Sequence, residues 1–299
     1  MAQGSAPTAR VVQVLESLRG RAGHGLRYAE LAEHAGVSQA TCHAILTTLA
    51  DAGYVVRDPS SRSYTLGPAL VGLGEVASRS FPEVALARPE LDALADRTGH
   101  GWSAGRVVGD TIAIVAVGDG VPEGDPIRPG ASLPFAPPFG AIHVAWSASA
   151  DIDAWVDRAP DGTFADADLR AVVADHRRVR FAVAPFTPAS AQLRGLLGEL
   201  TTDGVAADVR ARTIELLAAI DRLDLRPDEY AGRGPLSVNT VTAPVFDTRG
   251  AVSFAVALHV ADPAIDARHL RTLAAELVRT ADRITTATGG CIPQEGDPA

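Results

Sequence analysis

The sequence predicts an α+β protein of two domains: a winged helix-turn-helix, then a larger domain of mixed strands and helices. Three observations carry that expectation. The chain has 299 residues, enough for two cores of ordinary size, and its 46% hydrophobic and 21% charged residues are a globular balance. The first 80 residues run helix, helix, tight turn, helix, hairpin. Beyond Phe81-Pro82 the pattern changes to strand-like runs interspersed with helical stripes. The divisions read from these changes are a flexible tail over 1–8, the winged helix-turn-helix over 9–67 and a linker helix over 68–80. A second domain covers 81–288, with an insertion near 187–235, and a flexible tail covers 289–299.

Each element has a local reason. Val11, Val14, Leu15 and Leu18 line one face of a helix from Ala9 to Arg19, which Gly20 and Gly23 end. A second helix runs from Tyr28 to Ala35, with Leu31 and Ala32 inward and Glu30 and Glu33 outward. Gly36 follows, where a left-handed stop costs least without a Cβ. Ser38 is placed to cap a third helix, Gln39 to Ala52, whose inward stripe is Cys42, Ile45, Leu46 and Leu49. Tyr54 to Arg57 and Arg62 to Leu66, joined by Asp58-Pro59-Ser60-Ser61, read as a hairpin, and Pro68 to Arg79 as the linker helix.

In the second domain Ala85 to Thr98 reads as a helix, and Trp102 to Val108 and Thr111 to Val117 as strands about the turn Gly109-Asp110. Phe139 to Ser147 and Ala167 to Arg178 read as helices. Phe181 to Ala184, Leu236 to Val245 and Ala251 to His259 read as strands, the last two joined by Asp247-Thr248-Arg249-Gly250. A final amphipathic helix, Pro263 to Ile284, repeats Leu270, Leu273, Leu277 and Ile284 on one side. Two helix-like runs, Ser190 to Leu200 and Val205 to Leu223, fill the insertion.

Composition narrows the function. All 27 basic side chains are arginine, which excludes a lysine-type phosphate loop, a Schiff-base enzyme and a kinase of the usual plan. The net charge is −9, but residues 1–80 hold seven arginines against six acids, leaving a balance of −10 behind them. DNA repels the second part and tolerates the first, so nucleic-acid contact belongs to the N-terminal domain. No apolar run reaches membrane-spanning length, Met1 to Arg10 lacks the build of a secretion signal, and two distant cysteines, Cys42 and Cys291, suit a reducing cytoplasm. The histidines and cysteines have no metal spacing, and no cofactor motif occurs. There is no Gly-x-Ser-x-Gly elbow. Asp151, Asp153, Asp157, Asp161, Asp166 and Asp168 read as a solvated surface with helix caps. No catalytic residue nominates itself, and an enzyme is not expected.

The face of the third helix opposite its apolar stripe carries Gln39, Ala40, His43, Ala44 and Thr47. Such a helix fits the major groove, where Gln39 can bond an adenine edge in bidentate fashion and His43 can donate to guanine or phosphate. Ser38 and Thr41 stand at the helix start, where free N–H groups and a hydroxyl can meet a phosphate. Arg57 and Arg62 on the hairpin can touch backbone or the minor groove. The alternative is a winged-helix module that docks a protein partner, which the weak +1 balance of the first 80 residues favours slightly.

Residues 9–79 resemble the DNA-binding part of the IclR family of regulators. The most specific stretches are Leu31-Ala32-Glu33-His34-Ala35-Gly36-Val37, Leu49-Ala50-Asp51-Ala52-Gly53-Tyr54-Val55 and Arg57-Asp58-Pro59. Further along, Ala87-Arg88-Pro89, Gly130-Ala131-Ser132-Leu133-Pro134 and Ala243-Pro244-Val245-Phe246-Asp247 resemble that family's second domain. The resemblance implies a GAF-like α/β effector-binding domain, double-stranded operator DNA as partner, small-molecule control, and assembly as homodimers or dimers of dimers. Three places depart from the pattern: Ala44 and Gln39 stand where the family often has basic residues, Phe135-Ala136-Pro137-Pro138-Phe139 replaces a small, polar helix start, and residues 187–235 are longer.

In that family the ligand lies between the sheet and the segment after Leu133-Pro134. Carried over, the lining is Trp102, Ser103, Leu133, Phe135, Phe139, His143, Thr240 and Thr242, which suits an apolar or aromatic effector. The alternative is that Trp102, Phe135 and Phe139 only fill the core. The implied mechanism is a dimer whose two third helices meet half-sites whole DNA turns apart, with the effector shifting the linker helix at a coupling of ~1–3 kcal/mol.

Overall fold

The apolar stripes of the first three helices meet in one small core. The computed structural model describes residues 5–19, 25–121, 127–187, 223–232 and 234–294, and the chain divides into one unit ending at Phe81 and another beginning at Pro82. In the first unit α1 (Ala6–Arg19), α2 (Tyr28–His34) and α3 (Gln39–Asp51) bury Val14, Leu18, Leu31, Cys42 and Leu46 against Val55 and Tyr64. Burying side chains of this size contributes ~1.5–3 kcal/mol each. The Glu30 carboxylate accepts from the Arg27 N–H at 2.7 Å, closing the start of α2. Gly36 takes the left-handed conformation that ends it, with φ 59°.

The hairpin is β2 (Val55–Arg57) and β3 (Ser63–Leu66), and it gains a third strand, β1 (Leu26–Arg27), which the apolar pattern did not announce. A two-residue strand carries too little periodicity to be read. Arg62 lies in the turn and not in the strand, at φ 58°. The turn is shaped by Asp58, which accepts from the Ser60 N–H at 2.7 Å and the Ser60 hydroxyl at 2.6 Å. These bonds hold the Asp58 carboxyl down at a pKa of about 2. α4 (Ala69–Ser78) follows, with no buried residue.

The second unit is built on six antiparallel strands: β4 (Trp102–Val108), β5 (Thr111–Val117), β6 (Ser132–Pro134), β7 (Ala182–Pro185), β8 (Pro235–Phe246) and β9 (Val252–Asp266). Their order is β6-β5-β4-β9-β8-β7. α5 (Pro82–Thr98) and α9 (Ala267–Ala287) cover one face. α9 buries Leu270, Leu273, Leu277 and Ile284 there, and Trp102 donates from Nε1 to Asp92 of α5 at 2.9 Å. On the other face lie α6 (Ala141–Val144), α7 (Ser149–Val156) and α8 (Asp166–Val179), whose Trp155, Leu169 and Val172, with Trp146 from the link between α6 and α7, pack with Phe246 and Ala255.

Three expectations change here. The helix over Phe139 to Ser147 shrinks to the single turn of α6, because Gly140 enters it at φ 92° and the chain breaks again before Ser149. The last helix begins at Ala267 and not Pro263, because Asp266 caps it, accepting from Arg268 N at 2.9 Å and His269 N at 3.2 Å. Residues 262–266 instead extend β9, pairing Val238 with Asp262 and Leu236 with Ile265. The acidic stretch after Ser149 does lie at the surface, with Asp151, Asp157, Asp161, Asp166 and Asp168 exposed, but it also holds the unannounced α7, whose Asp153 pairs with Arg170 of α8. At the C-terminal end, Cys291 docks through its N–H on Asp247 O at 2.9 Å, so the 289–299 segment is fastened where it begins. The insertion helices, Leu223 excepted, lie outside the described residues. No described helix is long and apolar enough to cross a membrane.

Candidate functional site

Two regions collect the candidate residues. On α3, Ser38 is the N-cap: its Oγ accepts from Thr41 N at 3.2 Å and lies 2.9 Å from Thr41 Oγ1. Both hydroxyls are thereby engaged with each other, and the N–H groups of Gln39 and Ala40 are the ones at this end without an intrahelical acceptor. Gln39, Ala40, His43, Ala44 and Thr47 are exposed on one continuous face. The Thr47 hydroxyl bonds back to His43 O at 2.9 Å, leaving its methyl and lone pairs outward. Arg57 and Arg62 are exposed on the wing.

The second region is a cavity of about 210 Å³ within the second unit. Register explains why it exists. Strand pairing sets Thr242, Ala257 and Ser103 in one row, Ala255, Gly105 and Ile114 in the next, and Ala184, Thr240 and His259 beside them. The centre of this floor is glycine, alanine and serine, so the sheet cannot fill the space above it. A Cβ on Gly105 would come within 3.1 Å of Ile112 Cγ2. Pro138, Phe139, Gly140, Ile142 and His143 form the roof, and Ile112, Leu133 and Ile127 close the β5–β6 end.

Of the residues anticipated for this lining, Ser103, Leu133, Phe139, His143, Thr240 and Thr242 border the cavity; Trp102 and Phe135 do not. Trp102 and Ser103 are consecutive in a strand and must point to opposite faces, and Trp102 takes the α5 side, where Arg88 stacks over its ring at 5.1 Å. Phe135 turns away under Arg158, whose guanidinium lies 5.4 Å from its ring and donates to Phe135 O at 3.0 Å. Trp155 Nε1 of α7 donates to Phe139 O at 2.9 Å, so Trp155 and Arg158, just past the end of α7, hold the roof at two points. Both residues shape the cavity from outside it.

Polar residues absent from the sequence reading also reach the wall: His259, Asn239 and Asp224. Ser103 Oγ lies 2.9 Å from His259 Nε2. Asp224 Oδ2 lies 3.2 Å from Nε2 of buried His176. His143 donates from Nε2 to Gly105 O at 3.2 Å; a carbonyl only accepts, so this bond fixes the proton on Nε2. His143 is half-buried by area because it borders the cavity. Desolvation nonetheless pushes its pKa down to about 4 against the smaller lift from the Gly105 bond, so the ring is neutral at pH 7.

The two regions together define a winged helix-turn-helix protein whose second, α+β domain carries a small-molecule-sized cavity. The profile of the IclR helix-turn-helix domain matches residues 7–59. Residues 7–59 thus carry a helix-turn-helix domain of the IclR type, and the chain shares its fold with IclR structures over nearly its whole length. It is 35% identical over 77 residues to the DNA-binding transcriptional repressor YiaJ of Escherichia coli, covering 26% of this chain and 27% of that one. It is 28% identical over 162 residues to the HTH-type transcriptional regulator XynR of the same organism, covering 54% and 64%. These matches span less than two thirds of either relative. An IclR transcriptional regulator from Alicyclobacillus acidocaldarius has the same fold at 20% identity and TM-score 0.62, over 96% of this chain and all of that one. So does an IclR homolog from Microbacterium hydrocarbonoxydans complexed with 4-hydroxybenzoate, at 16% identity and TM-score 0.61, over 95% and 99%.

Proposed function

We propose that this chain is a transcription regulator that binds double-stranded operator DNA through α3 and the wing, with its affinity set by a small apolar or aromatic effector in the sheet cavity. The observation that carries the reading is the outward face of α3. Gln39, Ala40, His43, Ala44 and Thr47 lie together in solvent, clear of the core stripe of Cys42, Leu46 and Leu49, and a free helix face of this width is what a major groove accepts. Ser38 and Thr41 order the helix start for a phosphate, and Arg57 and Arg62 supply backbone contacts. Ala44 gives no charge, so sequence reading falls mainly to Gln39 and His43.

For the effector, the support is a cavity with an apolar end and a few placed polar groups. The IclR homolog of the same fold that was solved complexed with 4-hydroxybenzoate, a one-ring compound, supports this reading. α4 leaves Val71, Leu73 and Val76 more than half exposed, which fits pairing with a second copy and thus two α3 helices per operator. Footprinting on the DNA upstream of the protein's own gene, at low salt with and without one-ring ligands, tests the reading. Protection of a two-fold site, changed by ligand in the wild type but not in Ala257→Leu, is the expected result. No protection under any condition removes the DNA reading in favour of a protein-docking winged helix.

A further inference from the structure

We infer that the cavity takes a neutral one-ring molecule bearing a hydroxyl, oriented with that hydroxyl toward β7 and β8, and that it discriminates against carboxylates. The inference rests on the reading of the cavity as the effector site. Its ground is that polarity is divided across the sheet. At the β5–β6 end the walls are Ile112, Ile114, Ile127 and Leu133, with Ser132 the one polar side chain among them, so this end chiefly covers apolar surface. At the opposite end stand Thr240, Thr242 and Asp224. Asp224 is placed there by the next residue, whose N–H donates to Val183 O of β7 at 2.8 Å.

Charge decides what the polar end accepts. Asp224 is the one carboxylate among the described lining residues, which include no arginine, and the chain has no lysine. A carboxylate and Asp224 both only accept hydrogen bonds, so neither satisfies the other and their charges repel. A hydroxyl can donate to Asp224 or a threonine oxygen and still accept from a neighbour. His143 does not rescue an anion. Its ring proton is held on Gly105 O, and burial keeps the ring uncharged. Among the described lining residues no arginine faces an anion there, and leaving water for a wall that carries the Asp224 carboxylate is the costly case.

Calorimetry on the full chain at pH 7.5 with two matched pairs tests this: 4-methylphenol against 4-methylbenzoate, and benzyl alcohol against benzoate. The hydroxyl member of each pair is expected to bind at least ~10-fold tighter, a difference of about 1.4 kcal/mol. Asp224→Asn should narrow the gap by improving the carboxylate, and Ala257→Leu, which fills the floor, should abolish binding of both. A carboxylate that binds the wild type as tightly as its partner, with Ala257→Leu abolishing it, overturns the inference and leaves the cavity reading standing. Phenol binding that survives Ala257→Leu overturns both. Binding by none of the four at millimolar concentration also overturns the inference, and the cavity reading then rests on the footprinting comparison alone.

Discussion

His143 makes the stability of the second unit depend on pH in a way that can be worked out in advance. Its pKa in the fold is about 4, against an ordinary value of 6.5. The fold therefore favours the neutral ring, and the unfolded chain binds the proton more readily. The resulting stability is fully present above pH 6.5, falls away as pH drops from 6.5 toward 4, and changes no further below that. The whole span amounts to about 3.4 kcal/mol at ~1.36 kcal/mol per pKa unit, an upper figure because the ring borders the cavity. By pH 5.5 about 1.4 kcal/mol should already be lost. The assay is urea unfolding followed by tryptophan fluorescence, which reports the second unit alone because Trp102, Trp146 and Trp155 all lie in it. The comparison is with His143→Gln, which can keep a donor toward Gly105 O but does not titrate. Subtracting the two curves removes other groups, including His100, whose pKa burial also lowers. Parallel loss of stability in both proteins between pH 7 and pH 5 would refute the reasoning.

Three further outcomes follow from the same geometry. Gln39→Ala should cost roughly 1–3 kcal/mol at a single base position, read by competition between operator variants, and an equal loss on every sequence would remove its reading role. Arg62→Ala should weaken binding to all sequences alike and reduce the slope of log affinity against log salt by ~0.9, so an unchanged slope would mean that the wing tip misses the backbone. Trp155→Phe keeps the packing but deletes the Nε1 bond to Phe139 O. It should cost ~1 kcal/mol in unfolding free energy and weaken binding of the cavity ligand several-fold; unaltered ligand affinity would show that the roof does not depend on α7.

What the sequence made legible follows the range of the physics involved. α1, α2 and α3 were readable because stripe, cap and stop are all local: Cys42, Leu46 and Leu49 at helical spacing, Ser38 before them, Gly36 closing the preceding helix. The cavity floor was only partly readable. Ser103 with Gly105, Ala255 with Ala257, and Thr240 with Thr242 each show a two-residue period of small or polar positions, but their meeting depends on β9 lying between β4 and β8. The same period would have separated Trp102 from Ser103. Asp224 was missed because it joins the wall from the end of the insertion, through pairing beside β7. Trp155 was missed because the acids around it read as a surface. Pro263 looked like a helix start, but the stronger local signal was Asp266, whose carboxylate satisfies two of the N–H groups that a new helix leaves open.

Floor and roof of the cavity are held by very different amounts of free energy. The floor is a set of backbone ladders across β4, β9 and β8, anchored beneath by Leu258 and Val256 at no more than 1% exposure and by the buried stripe of α9; moving one of its residues means shifting a strand register. In the roof, Ile142 is held by burial in the core around Trp146 and Trp155, but the stretch from Phe135 to Phe139 and the His143 ring depend on a few side-chain bonds: Trp155 to Phe139 O, Arg158 to Phe135 O and His143 to Gly105 O. At ~0.5–1.5 kcal/mol each, these sum to a few kcal/mol, comparable with what a single ring gains by leaving water. The Phe135–Phe139 stretch is therefore the part of the wall that yields most cheaply, and the floor the part that yields least. The segment Phe135 to Phe139 is thus where a substitution changes the shape of the cavity at least cost, while Ser103, Thr240, Thr242 and His259 are held in place by the sheet beneath.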